Sequence, residues 1–182
     1  MTSTIQHYQL SLDTKPIKEY TLSLKESHVI SNVGGFQSTY FDSVPDVCKE
    51  LFTIIDSLVP KSSLLTFMWF NINRHGDYNK KHWHFKPKVK FYDRMYEGSS
   101  VSVCEHIQGI SGVYYVDVPE KNMGNIVFYH KKDVEEKIEP KTNTLFLFSN
   151  KLPHSVEPNQ SHKERISIAF NYGTIIGKKS WH

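Results

Sequence analysis

The sequence predicts a mainly β protein with one flanking helix, arranged as an antiparallel sandwich or barrel. Five segments carry that expectation. LLTFMWFNINR, SGVYYVDV, NIVFYHK, TLFLFSN and ERISIAFNY are short, rich in aromatic and β-branched residues, and separated by Gly, Pro, Asn or Asp. One helical period precedes all five, without the regular alternation that builds βαβ units, which argues against a parallel α/β fold. The run TLFLF is apolar on both strand faces, so it expects burial between a sheet and a helix.

Taken in order, residues 1–40 read as short strands and turns, broken at Gly34-Gly35. Ser43 is placed to cap a helix beginning near Val44 and Pro45, whose apolar face would carry Val47, Leu51, Ile54, Ile55 and Leu58 until Pro60. Strands dominate the remainder, interrupted at 85–109, where FKPKVKFYDRMYEG mixes cations with aromatics and SSVSVCEH reads as an added strand. Connections longer than about 12–15 residues are often lids or binding loops. The stretch therefore has two readings. It is a lid over a site, with Lys86, Lys88, Lys90 and Arg94 favouring an acidic partner, or it is a solvated surface hairpin.

Composition bounds the function classes. With 182 residues, 38% hydrophobic and 23% charged, the chain can fill one core and is expected to form one domain over 1–182. A net charge of +3, with both signs interspersed, gives no basic arm that would indicate nucleic acid. Cys48 and Cys104 are too few for a disulfide framework and lie in no CxxC pair, so free thiols are expected. The opening MTSTIQHYQL lacks a signal-peptide core, and no apolar run approaches the ~20 residues that span a bilayer. A cytoplasmic location without membrane association is the expectation; oligomeric state is not readable.

Three short motifs carry chemistry. In HWH, His82 and His84 stand at i and i+2, which on a strand point the same way and can reach one metal. In LPHSVEPN, His154 follows a buried strand and a Pro-containing turn that can return a third imidazole over the same sheet. In ERISIAFNY, Arg165, Ser167 and Ala169 share one strand face. That face is either solvent or the lining of a polar cavity. In a cavity the guanidinium needs an anion, whose best match is a carboxylate, with Ser167 adding a hydroxyl donor.

Over roughly Trp69 to Tyr172 these motifs resemble the double-stranded β-helix oxygenases that use iron(II) and 2-oxoglutarate. The likeness rests on Gly76-Asp77 before HWH, then SGVYYVDVP, Gly124 before IVFY, Pro140 before TLFLF, and finally HSVEPN and ERISIAFN. It is similar to a branch, common among phage and marine bacterial sequences, with His-x-His at the first ligand pair. If the chain is phage-encoded, its location would be the host cytoplasm. The resemblance implies a jelly-roll, cupin-like core over 63–175, preceded by N-terminal strands and a supporting helix over 1–62. It implies that His82 and His154 bind iron, and that Arg165 with Ser167 holds the distal carboxylate of 2-oxoglutarate. Tyr115 is a further donor; Tyr114 and Tyr115 alternate faces, so only one reaches the cavity.

The family's commoner triad has a carboxylate where this chain has His84. Three completions stay open: His84 is the third ligand, Asp77 or Glu105 substitutes, or water completes a two-histidine site. The implied activity is hydroxylation of a peptide or protein side chain, or of a small metabolite, acidic ones included, with 2-oxoglutarate decarboxylated to succinate. The rivals are a cupin-like three-histidine metal enzyme that uses no 2-oxoglutarate, and a non-enzymatic jelly roll that binds or builds.

Overall fold

The computed structural model describes residues 5–84, 91–104, 109–130 and 135–179. In chain order the elements are β1 (Gln6–Gln9), α1 (Lys15–Ser23), β2 (Asn32–Val33), β3 (Phe36–Gln37), a 3-10 turn (Asp46–Cys48) and α2 (Lys49–Leu58). Then come β4 (Ser63–Asn73), β5 (Tyr78–His82), β6 (Phe91–Tyr96), β7 (Ser99–Cys104), β8 (Ile110–Asp117) and β9 (Ile126–Tyr129). The last four are β10 (Glu135–Ile138), β11 (Thr144–Ser149), β12 (His154–Val156) and β13 (Arg165–Lys179).

The strands form two antiparallel sheets. The larger runs β1-β11-β8-β13-β4-β3, with β7 pairing the far end of β13 and β6 pairing β7; the smaller runs β10-β9-β12-β5-β2. Alternation along the central strands sorts side chains between two cores. Ile166, Ile168 and Phe170 of β13, Tyr114 and Val116 of β8, and Leu145 and Leu147 of β11 pack with Ile17, Leu51, Phe52 and Ile55 of the helices. Tyr115, Phe146 and Phe148 turn the other way and meet Ile126 and Phe128 of the smaller sheet. TLFLF thus has the two-sided burial that its pattern expects. Gly112 is required under this packing, because a Cβ there would fall inside the Phe170 ring.

The helices depart from expectation. Helix α1 forms where strands and turns were expected; only Ile17 and Thr21 of it are buried, so its apolar stripe is too thin to register as a period. Its signal is local: Pro16 in the first turn, with Asp13 accepting the Lys15 amide at 3.0 Å. Helix α2 starts later than expected, after the 3-10 turn, and Ser43 does not cap it. Its buried stripe is Cys48, Leu51, Phe52, Ile55 and Val59, spaced mostly 3 and 4 apart, while Val47 is exposed.

Both cysteines are buried free thiols. Within the expected 85–109 interruption, β6 and β7 form a hairpin that extends the larger sheet. Arg94 of that hairpin pairs with Asp42 at 3.8 Å and donates to the Thr66 carbonyl. Lys86, Lys88 and Lys90 lie outside the described residues. Among the described residues no helix is long and apolar enough to cross a membrane.

Candidate metal centre

His82 ends β5 and His154 begins β12, directly opposite each other in the smaller sheet. Each has its orientation fixed by the carbonyl two residues before it. His82 Nδ1 lies 2.7 Å from the Lys80 oxygen, and His154 Nδ1 lies 3.0 Å from the Leu152 oxygen. A carbonyl only accepts, so both Nδ1 atoms carry the proton and both Nε2 atoms keep a lone pair, which is the tautomer a metal needs.

His84 joins them by another route. Strand β5 stops at His82, so the i, i+2 rule of a strand does not place this ring. The His84 amide instead donates to the Asn150 carbonyl at 3.0 Å, and the ring stacks on His154 at 9° with centroids 5.1 Å apart. Its Nε2 stands 3.3 Å from His154 Nε2, and one nitrogen from each of the three rings lies within 4.8 Å of the others. Nitrogens ~2.1 Å from one ion are about 3.0–3.4 Å apart, a separation that His84 and His154 already have and to which the wider spacing must close. Asp77 is elsewhere: its carboxylate accepts the Arg74 amide at 2.6 Å and fills the turn left open by the left-handed Gly34 and Gly35. Glu105 lies outside the described residues.

Burial sets the charge state of the imidazoles. His154 is pushed down to about 3, by desolvation first and by His82 second, against the opposing Leu152 hydrogen bond. Desolvation lowers His82 as well. Both are neutral imidazoles at neutral pH. A histidine whose folded value is depressed stabilises the fold above its unfolded value, and loses that contribution as pH falls through the folded value. The metal-free protein is therefore expected to lose stability between about pH 6.5 and pH 3, with a slope of at most about 1.4 kcal/mol per pH unit from His154. Urea melts across that range check it; a flat profile contradicts it.

The three rings share a cavity between the sheets, about 520 Å³ counting its open mouth, with Arg165, Ser167 and Tyr115 on the opposite wall. Of the YY pair only Tyr115 faces this space; Tyr114 points to the helices and donates to Asn143 at 2.5 Å. Arg165 is 1% exposed. Its Nη1 donates to the Met123 and Gly124 carbonyls at 2.9 Å each, and its Nη2 to Asn73 Oδ1 at 2.8 Å. Every one of these acceptors is neutral, and Arg165 Nε is buried with no partner. Among the described residues no Asp or Glu pairs with Arg165 or lines the cavity. A desolvated cation with a spare donor is a standing demand for an anion. Burial also raises the Tyr115 hydroxyl, partly offset by Arg165, so it is a donor at neutral pH.

Several lining residues are not singled out by the sequence motifs. Asn71 and Asn73 stand on the cavity face of β4, paired with Ser167 and Arg165 of β13, and Trp69 pairs with Ala169. The sequence does carry a signal for them, since two Asn at i and i+2 are unfavourable inside a strand unless that face is polar. Asn171 continues the Arg165, Ser167, Ala169 face and meets His84.

Residues 128–171 match a family model described as "Putative 2OG-Fe(II) oxygenase". The span holds His154, Arg165 and Ser167, whereas His82, His84 and Tyr115 precede it. No curated protein matches the sequence. The chain superposes on a prolyl-4-hydroxylase from Pseudomonas putida with a TM-score of 0.64 at 16% identity, over 96% of this chain and 93% of that one. For HygX from Streptomyces hygroscopicus, solved with nickel and 2-oxoglutarate, the values are 0.67 and 9%, over 95% and 84%. For a prolyl hydroxylase from Trichoplax adhaerens, in complex with a hypoxia inducible factor peptide fragment, they are 0.65 and 14%, over 95% and 83%. At these identities the superpositions establish the double-stranded β-helix fold. Together with the sequence match over 128–171, they make this chain similar to the iron(II)- and 2-oxoglutarate-dependent oxygenases in its fold and in the second half of its core.

Proposed function

We propose that His82, His84 and His154 together hold iron(II), that Arg165, Ser167 and Tyr115 hold the distal carboxylate of 2-oxoglutarate, and that the enzyme hydroxylates a carbon of a peptide side chain or a small metabolite. The observation that carries this reading is Arg165, buried in the same cavity as three convergent imidazoles, with only neutral partners and an unused Nε–H among the described residues. When bound, iron(II) and 2-oxoglutarate supply the oxidation: dioxygen gives one oxygen atom to the substrate C–H and one to succinate, with loss of carbon dioxide. Arg165 directs the co-substrate by charge and by its fixed donors, and Tyr115 and Ser167 add hydroxyl donors from the neighbouring strands. Three neutral imidazoles leave the ion one charge more positive than a set containing a carboxylate, which favours a dianionic partner. Trp69 and the lining around Phe148 limit water on the apolar side of the space. The breadth of substrate class follows the relatives, one solved with a peptide fragment and another with hygromycin B.

A metal enzyme without 2-oxoglutarate is the second reading, favoured by the three-histidine set, and one experiment separates them. Anaerobic titration of the iron(II)-loaded protein with 2-oxoglutarate is expected to develop a visible metal-to-ligand charge-transfer band that saturates at one equivalent per chain. Metal binding with neither a band nor heat in calorimetry overturns the co-substrate assignment and leaves the second reading. Absence of stoichiometric iron after anaerobic loading overturns both.

A further inference from the structure

We propose that Asn171, backed by Ser111, is a positioning residue that orients the His84 ring and sets its tautomer for metal ligation, an inference that rests on the three-histidine reading above. His82 and His154 take their orientation from carbonyls of their own chain segment, two residues back. His84, beyond the end of β5, points its Nδ1 at a side chain instead: Asn171 Nδ2 lies 3.2 Å away. Ser111, directly across from Asn171 in the β8–β13 pair, donates its hydroxyl to Asn171 Oδ1 at 2.6 Å.

The position is built for that task. Asn171 and Ser111 are each 1% exposed. The Thr66 hydroxyl holds the Asn171 carbonyl at 3.0 Å, and the register of β13 against β4 shifts between Asn171 and Tyr172. Irregularities of this kind re-aim a side chain beside a site. Burying a primary amide at a strand centre is unfavourable unless its donors and acceptor are used, and here they serve a histidine and a serine.

An amide and a hydroxyl can satisfy each other in two senses. In the sense seen here, Nδ2–H donates to His84 Nδ1, Ser111 O–H donates to Oδ1, and His84 Nε2–H is left to donate to His154 Nε2 at 3.3 Å. Turning the amide over presents Oδ1 to a His84 Nδ1–H and Nδ2–H to the Ser111 oxygen, so Asn171 keeps both of its partners while the His84–His154 hydrogen bond is given up. That second sense directs the His84 Nε2 lone pair toward the other two imidazoles, and no proton enters or leaves. A hydrophobic residue at 171 could support neither sense.

The test uses cobalt(II) alone as the probe, titrated into the full-length chain and followed by absorption, with circular dichroism as a check on folding. Asn171→Leu is expected to weaken cobalt(II) binding about 10- to 100-fold, and at saturation to give the visible spectrum of His84→Ala. Asn171→Asp, which keeps an acceptor against Nδ1–H, is expected to bind at least as tightly as the parent. The double variant His84→Ala/Asn171→Leu should bind no more weakly than His84→Ala alone, because Asn171 acts only through that ring. The inference is overturned if His84→Ala weakens binding while Asn171→Leu stays within about twofold of the parent, or if the two losses simply add in free energy. If His84→Ala itself binds like the parent, the three-histidine reading fails first. Should Asn171→Leu not fold, Asn171→Asp decides: undiminished binding supports the role, and a loss of about tenfold or more refutes it.

Discussion

Arg165→Met is expected to lose 2-oxoglutarate binding while leaving iron(II) binding intact. The guanidinium is on the wall opposite the imidazoles and contributes no ligand atom, so metal affinity in the absence of co-substrate should match the parent. Removing one partner of a buried, hydrogen-bonded charge pair costs about 2–5 kcal/mol, which is roughly 30- to several-thousandfold in affinity. The folded state makes the assignment sharper. Arg165 donates to three neutral oxygens of the fold, and burial lowers its affinity for the proton it must keep. Such a charge adds little to the stability of the fold and much to the capture of an anion. The parent should therefore gain thermal stability with added 2-oxoglutarate, by about 2.7 kcal/mol at a hundredfold excess over the dissociation constant. The variant should show no such gain. Parent-like binding by Arg165→Met would refute the role of Arg165. A loss of iron along with 2-oxoglutarate would instead mark it as a residue that shapes the whole cavity.

How much of the fold and site is legible in the sequence follows from how each residue is held. Period-2 alternation is a strong local signal, so the face shared by Arg165, Ser167 and Ala169 and the two-sided burial of TLFLF are both legible in the chain's own pattern. The same alternation separates Tyr115 from Tyr114. Helix α1 leaves no periodic trace because it buries little, and α2 differs in phase from its apolar pattern because a 3-10 turn shifts which residues face inward. The convergence of His84 depends on a carbonyl at residue 150 and a side chain at residue 171, both distant in sequence. No spacing rule encodes that arrangement; the HWH pair comes together for a reason other than strand geometry.

His154→Ala is expected to lose both iron(II) and 2-oxoglutarate, the opposite partition from Arg165→Met. His154 is the ring on which the other two converge: His82 lies across the ladder with centroids 4.3 Å apart, and His84 stacks on its far face. It is also the most buried of the three, held neutral by desolvation first and by His82 second, with the Phe148 ring 4.8 Å away. Losing an outer-shell partner of a ligand typically costs about 10–100-fold in metal affinity, and losing the ligand itself should exceed that. Without iron, Arg165 is left to hold one end of 2-oxoglutarate alone, which is too little against the entropy of binding a small flexible dianion. The same variant should flatten the acid limb of the stability profile, because the buried imidazole whose proton affinity folding lowers to about 3 is gone. Iron affinity, 2-oxoglutarate heat and acid stability are three measurements on one variant. They must move together if a single buried imidazole links the metal to the fold, and retention of iron by His154→Ala would break that link at its first step.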